Sequence, residues 1–220
     1  MIHLAGRTRE KVNRALEEIN VYKQEGLSGA IIEDYHGTLQ DVKETLKLLP
    51  KDSPKFRIGI NLLEDPYYAF ELAEKYERQF IQLDTIQASR RFDENLYLLL
   101  RRRHPNLYVF GGIRFKYIPP TGKSLEEDIR NGMSRCDAIV TTGEGTGIET
   151  PTQKLVEFKK IMENFPLIVG AGLNDRNARE QLAVADGAII GSYFKEGRTD
   201  FHVDRQRVRE IVKLINRQQE

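Results

Sequence analysis

Glycine-rich segments follow three apolar runs in the C-terminal half of the chain, and they are the strongest sign of a binding site in the sequence. Their glycines and hydroxyl residues are Gly145, Thr146, Gly170, Gly172, Gly191 and Ser192. Because glycine has no side chain, backbone N–H groups in such turns can approach an anion closely, and a helix that starts behind them adds a favourable dipole. The pattern predicts a phosphate-binding site with the Ser192 hydroxyl as an extra donor. Glycine would also suit a turn that is merely tight.

Acidic and basic residues follow other apolar runs. Asp34 and Asp84 come after the second and fourth runs, while Lys116 and Lys195 follow the fifth and eighth and are expected at the same rim. Two carboxylates close to each other and to a cation should titrate apart, so that one holds a proton while the other stays ionised. We therefore predict that Asp34, Asp84 and Lys116 are catalytic, and that Asn61, at the end of the third run, helps to bind the ligand.

Alternatives for the acids stay open at this level. Glu33 precedes Asp34, and because successive side chains of a strand point to opposite faces, only one of the two can face a barrel interior. The acids could also cap helices or pair with a cation such as Arg114. A divalent metal held with His3 or His36 is a further option. We predict no metal and no cofactor.

The elements that would position these residues alternate along the chain. Short runs rich in β-branched and aromatic residues are each followed by a helical pattern of apolar residues. The eight runs are Ile2–Leu4, Gly29–Ile32, Phe56–Asn61, Phe80–Leu83, Leu107–Phe110, Ala138–Thr141, Leu167–Val169 and Ala188–Ile190. Strict alternation implies a parallel sheet with helices on its faces, and eight units favour a closed (β/α)₈ TIM barrel over a flavodoxin-like sheet of about five strands. In such a barrel the strand ends share one rim, which would gather the polar residues.

Local sequence patterns predict where two helices start and where the single cysteine lies. Ser124 with Glu127, and Thr150 with Gln153, have the spacing of a capping box, which marks the first turn of a helix. Cys136 has neither a histidine nor a second cysteine nearby in sequence, so we expect it to pack in the interior.

Composition bounds the class of protein. The 220 residues show no linker or break in composition, so we predict one domain over residues 1–220. A net charge of +1 argues against a dedicated nucleic-acid binder, and the basic pair Arg90 and Arg91 is expected on a solvated face. One cysteine excludes an intrachain disulfide and favours a reducing compartment. The start does not resemble a signal peptide, and no apolar stretch of about 18 residues suggests a membrane span. We expect a cytoplasmic protein.

Several segments resemble the BtpA family. The matching segments are Asp137–Gly147, like its DAxIVSGSGTG; Leu167–Leu173, like its VLVGSGV; Ala185–Lys195, like its ADGxIVGSxxK; and Val203–Val208, like its VDxxRV ending. The family is similar to the ribulose-phosphate-binding barrels, which implies a (β/α)₈ fold and a phosphate site after the seventh and eighth runs. Its founding role is in the biogenesis of thylakoid membranes and photosystem complexes. This chain lacks the family's PPLPG loop after the first run and has Asp84 at a position where the family has asparagine.

Two functional hypotheses follow. The first is an isomerase, lyase or hydrolase that acts on a small phosphorylated sugar or nucleotide-like metabolite. The second is a non-catalytic assembly or interaction barrel with a regulatory or vestigial pocket. The retained polar rim favours the enzyme, since a site freed from chemistry could tolerate apolar replacements. A small phosphorylated ligand is the expected partner, and association into a homo-oligomer is left open.

Overall fold

A computed structural model describes residues 1–7, 10–89 and 92–216. Arg90 and Arg91 lie outside these ranges. Within them, helices and strands alternate along the chain. The elements in order are α1 (Glu10–Gln24), β1 (Gly29–Glu33), α2 (Leu39–Leu48), β2 (Arg57–Asn61), α3 (Tyr68–Lys75), β3 (Phe80–Leu83), α4 (Glu94–Arg103), β4 (Tyr108–Gly112), α5 (Leu125–Met133), β5 (Ala138–Thr141), α6 (Thr152–Met162), β6 (Leu167–Val169), α7 (Ala178–Leu182), β7 (Gly187–Ala188), a 3₁₀ helix (Ser192–Lys195) and α8 (Arg205–Asn216).

The strands pair in parallel and in chain order. In the described ranges, seven strands form one sheet in the order β1 to β7. The first predicted run closes it. Ile2 makes a parallel bridge to Ile32, flanked by hydrogen bonds from Ile2 N to Ile31 O (2.8 Å) and from Glu33 N to Ile2 O (2.9 Å). On the other side, the Met1 amino group donates to Ile190 O at 2.8 Å. The first run thus lies between β1 and the segment after β7, and the (β/α)₈ barrel predicted from the alternation is confirmed.

Three of the predicted runs are shorter as strands than the sequence suggests, and the third loses only Phe56. The first contributes a single bridge, and the eighth forms Gly187–Ala188 instead of Ala188–Ile190. Both flank the closure of the barrel, where the backbone also hydrogen-bonds to loops. Ile189 N still donates to Val169 O at 2.9 Å, so the last strand keeps its partner beyond its assigned end.

The two faces of each strand have different neighbours because side chains alternate. Outward residues such as Ile32, Ile81 and Val109 are buried against the surrounding helices. Inward residues such as Ile31 and Val140 pack inside the barrel. Each fully buried isoleucine contributes about 1.5–3 kcal/mol relative to an exposed one, so both layers stabilise the arrangement of strand ends.

Helix starts agree with the sequence in part. Ser124 accepts from Glu127 N, and the Glu127 side chain accepts from Ser124 N, so the capping box predicted at α5 is confirmed. The box predicted at Thr150 is wrong, because α6 begins without a side-chain cap and the Thr150 hydroxyl donates to Ala171 O at 3.0 Å.

No helix in the described part of the chain is both long and apolar enough to cross a membrane.

Cys136 lies where the sequence predicts, in the interior. Its thiol is buried and lies 3.3 Å from Gly132 O. Burial, followed by the charge of Asp137, raises the thiol pKa to about 12. The thiol is therefore a packing group at neutral pH.

Candidate functional site at the carboxyl ends of the strands

Strand register places four polar side chains next to each other inside the barrel. Glu33 pairs with Asn61, and Asn61 pairs with Gln82, at the carboxyl ends of β1, β2 and β3. The bridge formed by Ile2 places His3 beside Glu33. All four side chains are buried. Buried polar groups in a barrel core need partners, so this row is a structured polar layer above an apolar interior.

One amide group connects the two carboxylates of the layer. Asn61 Nδ2 donates to Glu33 Oε1 at 2.8 Å and to Asp84 Oδ1 at 3.1 Å. Gln82 Nε2 also donates to Asp84 Oδ1, at 3.1 Å. Within the described residues, Asn61 Oδ1 and Gln82 Oε1 are buried without a hydrogen-bond partner. These two acceptors could receive hydrogen bonds from a bound ligand.

Burial and charge alter the proton affinity of Glu33 and His3. Burial, followed by the charge of Asp84, raises the pKa of Glu33 from 4.5 to about 7, while Lys116 opposes the change. Burial, followed by the charge of Lys195, lowers the pKa of His3 well below 6.5. His3 is therefore neutral, and its contact with Glu33 at 3.7 Å is not an ion pair. Glu33 is poised to exchange a proton near neutral pH.

Asp34 points away from this layer. Its partial burial raises the pKa of the carboxyl, although the hydrogen bond that it accepts from Leu63 N at 2.8 Å acts in the opposite direction. Of the adjacent pair, Glu33 is the inward residue. The structure therefore brings Asp84 and Asn61 together with Glu33, whereas Asp34 holds the loop that follows β2. A catalytic role for Asp34 stays a prediction.

The two predicted rim lysines lie in different environments. Lys116 is half-buried after β4, with Nζ 5.5 Å from the centre of the Phe115 ring. Its charge lowers the pKa values of both Glu33 and His3, which places it near them. Lys195, also expected at the rim, is fully buried and pairs with Glu18 on α1, where its Nζ lies 2.8 Å from Glu18 Oε2. Its charge still lowers the pKa of His3, so it lies close to the polar layer although it does not line the small cavity.

A small cavity joins this polar layer to the glycine-rich segments. It measures about 30 Å³, and its lining includes His3, Glu33, Lys116, Thr146, Gly147, Gly170, Gly172, Gly191 and Ser192. At roughly 10–15 Å³ for each water, it holds about two or three waters, a volume comparable to one phosphate group. Gly145 is buried nearby in the same loop but is not part of the lining. A Cβ at Gly191 would lie 2.7 Å from His3 Cε1, so no larger residue fits there without moving His3.

The loop of residues 143–150, between β5 and α6, covers this cavity. Gly172 has φ +72°, and a Cβ there would overlap the backbone of Glu149. A Cβ at Gly147 would lie 2.9 Å from Ser192 Oγ. Thr146 N donates to Tyr117 Oη at 3.0 Å, which ties the loop to the segment after β4. The glycines thus allow close packing of the loop against the segments around the cavity.

A larger side cavity shares one lining residue with the small one. It measures about 470 Å³ and is lined by Leu62, Leu63, Glu64, Pro66, Tyr67, Leu83, Asp84, Thr85, Lys116, Tyr117 and Ile118. Lys116 lines both cavities. In the described ranges, no group of three or more histidine, cysteine, aspartate or glutamate side chains is arranged to hold a metal ion.

Three members of the polar layer are not among the site residues that the sequence predicts. His3 is expected only as a possible metal ligand and Glu33 only as an alternative to Asp34, while Gln82 is not a candidate. Gln82 had a detectable signal, because it is a polar residue two positions before Asp84 in an otherwise apolar run. On a strand that spacing places both side chains on the same face.

Comparisons with known proteins agree with the fold. The model of the BtpA family matches residues 51–217. An uncharacterised protein of Pyrococcus abyssi is 29% identical over 231 residues, which covers 96% of this chain and 88% of that protein. The photosystem I biogenesis protein BtpA of Synechocystis is 22% identical over 173 residues, covering 72% of this chain and 60% of that protein. The solved N-(5′-phosphoribosyl)anthranilate isomerase of Pyrococcus furiosus superposes with a TM-score of 0.63 at 16% identity, covering 92% of this chain and 94% of that chain.

Proposed function

The chain belongs to the BtpA family, and from that premise we propose that it binds a small phosphorylated sugar or nucleotide-like metabolite and moves a proton of that ligand. The observation that carries the proposal is the pair of carboxylates held by one amide. Glu33 and Asp84 share Asn61 Nδ2 beside Lys116, and Glu33 and Lys116 also line the small glycine-rich cavity. An acid–base pair next to an anion-sized cavity is the arrangement that such chemistry needs.

The phosphate is assigned to the small cavity. The proposed donors are backbone N–H groups around Gly172 and Gly191 and the Ser192 hydroxyl, and Thr146 in the covering loop adds another hydroxyl. Gly170 lines the cavity, but its own N–H donates to Thr141 O at 2.8 Å. Phosphate commonly binds after the seventh and eighth strands of barrels. The isomerase neighbour, whose name includes a phosphoribosyl group, supports the class of ligand by analogy of fold.

Glu33 is the proposed proton-transfer group. With a pKa near 7 it exists in both forms at neutral pH, so it can take a proton from one ligand atom and return it to another. Asp84 supplies the negative charge that, together with burial, keeps that pKa high. Lys116 stabilises negative charge that develops on a neighbouring oxygen of the ligand. Isomerase, lyase and hydrolase reactions all include such a step.

Deuterium exchange tests the proposal before the full reaction is identified. A panel of sugar phosphates is incubated with the protein in D₂O, and loss of a C–H signal is followed by proton NMR. We expect the wild type to exchange at least one carbon-bound proton of one member. Glu33→Gln should slow this exchange at least about tenfold, because a positioned acid–base group contributes about 10²–10⁴-fold.

Binding of the same panel separates the two halves of the proposal. Sugar phosphates should raise the melting temperature of the wild type, and Ser192→Ala should reduce that rise without changing the melting temperature of the free protein by more than a few degrees. Binding without any exchange or turnover would count against catalysis and support a regulatory pocket. If no member of the panel binds, the phosphate site is wrong.

A second candidate function has one specific observation in its favour. Helix α4 exposes three leucines, Leu96, Leu98 and Leu99, at 39%, 41% and 45% of their surface. Leu96 and Leu99 lie three positions apart and so share one side of the helix. Exposed leucines of this kind suit a protein partner or a second copy of the chain. The assembly-barrel hypothesis, supported by the name of the Synechocystis relative, would use it. Light scattering tests self-association: Leu99→Glu should dissociate any oligomer, and a monomeric wild type would leave only a different partner for this face.

A further inference from the structure

We infer that the ligand carries a planar, uncharged or basic ring, and that this ring occupies the side cavity while the phosphate occupies the small one. The inference rests on the proposed function, since it assigns the second half of the same ligand. It narrows the class of ligand to nucleotide-like compounds.

The two cavities share one lining residue, and the proposed reacting groups line one cavity or the other. Lys116 lines both, Glu33 lines the small cavity, and Asp84 lines the side cavity. Asn61 Nδ2 hydrogen-bonds both carboxylates and so lies between them. A ligand that spans the two cavities would place its central part next to all three charged groups. The reacting atoms of a phosphorylated glycoside lie in that central part, between phosphate and ring.

The volumes suit different halves of one molecule. The small cavity of about 30 Å³ accommodates one phosphate group and little more. The side cavity, at about 470 Å³, has the size of a small-molecule site. A simple sugar phosphate would leave most of it empty. A larger group attached to the sugar would fill it.

The walls of the side cavity indicate the nature of that group. Leucine, isoleucine, proline and tyrosine side chains make up most of the lining, and two of them, Tyr67 and Tyr117, present aromatic rings. Apolar and aromatic walls favour a flat ring over a polyol, whose hydroxyl groups would lose hydrogen bonds to water there.

The charged residues of the side cavity determine which kind of ring it favours. Among the lining residues that the structure describes, Glu64 and Asp84 are acidic and Lys116, shared with the small cavity, is the one cation. A ring that carries its own carboxylate would meet two acids and compete for one lysine. A neutral or basic ring would not. The side cavity therefore discriminates against acidic rings.

Calorimetric titration of matched ligands tests whether the side cavity binds a neutral ring and discriminates against an acidic one. Ribose 5-phosphate supplies the phosphate alone, AMP and UMP add a neutral ring, and orotidine 5′-monophosphate differs from UMP by one ring carboxylate. We expect AMP or UMP to bind at least tenfold more tightly than ribose 5-phosphate. Orotidine 5′-monophosphate should bind at least tenfold more weakly than UMP.

A charged substitution in the wall provides the second arm. Leu63 lines the side cavity and is 40% exposed, so Leu63→Glu adds a charge there without disrupting the core. It should weaken binding of AMP or UMP at least tenfold more than it weakens binding of ribose 5-phosphate, so that the advantage of the nucleotide is lost. Leu48→Glu, on the exposed face of α2, is the control and should change neither Kd.

The outcomes distinguish this inference from the proposed function. Equal affinity for nucleotide and ribose 5-phosphate, both weakened by Ser192→Ala, would overturn the ring assignment and leave the phosphate site standing. If adenosine binds as tightly as AMP and Leu63→Glu abolishes its binding, the ring assignment holds and the phosphate site fails. If no ligand of the panel binds, both are overturned.

Discussion

The proton on Glu33 is controlled by where the side chain lies. Its carboxyl is buried beside Asp84, so the charged form is disfavoured twice, and the pKa rises from 4.5 to about 7. The folded state therefore binds more protons than the unfolded state between about pH 4.5 and pH 7. Stability contributed by this group is present at low pH and is lost as the pH rises through that window.

Glu33→Gln should therefore stabilise the protein increasingly as the pH rises. Relative to wild type, we expect its free energy of unfolding to gain on the order of 3 kcal/mol between pH 4.5 and pH 8, at about 1.36 kcal/mol for each pKa unit. Urea denaturation at several pH values measures it. Glu180→Gln on the exposed face of α7 is the control and should show no such trend. A constant difference between Glu33→Gln and wild type would mean that Glu33 has an ordinary pKa.

The two lysines should respond in opposite ways to the same substitution. Lys195→Met removes a partner of buried Glu18, and breaking a buried pair costs about 3–5 kcal/mol, with the lower value expected because Arg14 still pairs with Glu18. Lys116→Met should cost clearly less stability than Lys195→Met and should weaken ligand binding. Chemical denaturation and calorimetry measure the two effects. Equal loss of stability in both variants would contradict the separation of their roles.

At the scale of elements, the loop of residues 143–150 depends on Gly172. Gly172→Ala requires both a left-handed backbone and displacement of Glu149. Gly122 also has a left-handed backbone, φ +78°, but has open space around it, so Gly122→Ala has only the backbone cost of about 1 kcal/mol. We expect Gly172→Ala to lose clearly more stability. Limited proteolysis should then cut the loop faster in Gly172→Ala than in Gly122→Ala. Equal rates would show that the loop packs independently of Gly172.

Elements were more predictable from the sequence than side-chain directions. The alternation of apolar runs and helical patterns places the strands to within a few residues, because each run must be buried on both faces of a parallel sheet. The inward choice between Glu33 and Asp34 depends on where the strand ends, and a shift of one residue exchanges the two faces. The Thr150 hydroxyl donates to Ala171 O instead of capping α6. This contact joins two loops that are distant in sequence, so no local sequence pattern predicts it.

For the site, the sequence likewise predicts which strand ends contribute residues but not where every side chain points. Asn61, Asp84 and Lys116 are placed at the rim by the ends of their strands alone, and the structure gathers them there. The end of its strand predicts Lys195 at the rim as well. Its side chain turns toward α1 instead, because the buried carboxylate of Glu18 requires a cation. The coverage of the small cavity by a neighbouring loop is a tertiary contact with no sequence signal beyond its glycines.

At the scale of the whole molecule, the prediction of a single domain can be tested by cooperativity. One apolar cluster includes residues from Ile2 to Ile211, so the ends of the chain share a core with its middle. We expect far-ultraviolet circular dichroism and tyrosine fluorescence to report one coincident unfolding transition in urea. Two separated transitions, or probes that disagree, would indicate parts that unfold independently.

Cys136 makes the chain a convenient background for site-directed labelling. It is the only cysteine in the sequence, and its buried thiol has a pKa of about 12, so maleimide or nitroxide reagents at pH 7 should leave it largely unmodified. A cysteine introduced at exposed Ile148 would then take up a spin label or fluorophore alone. Such a probe on the covering loop would report directly, in solution, whether that loop opens to admit a ligand and how often.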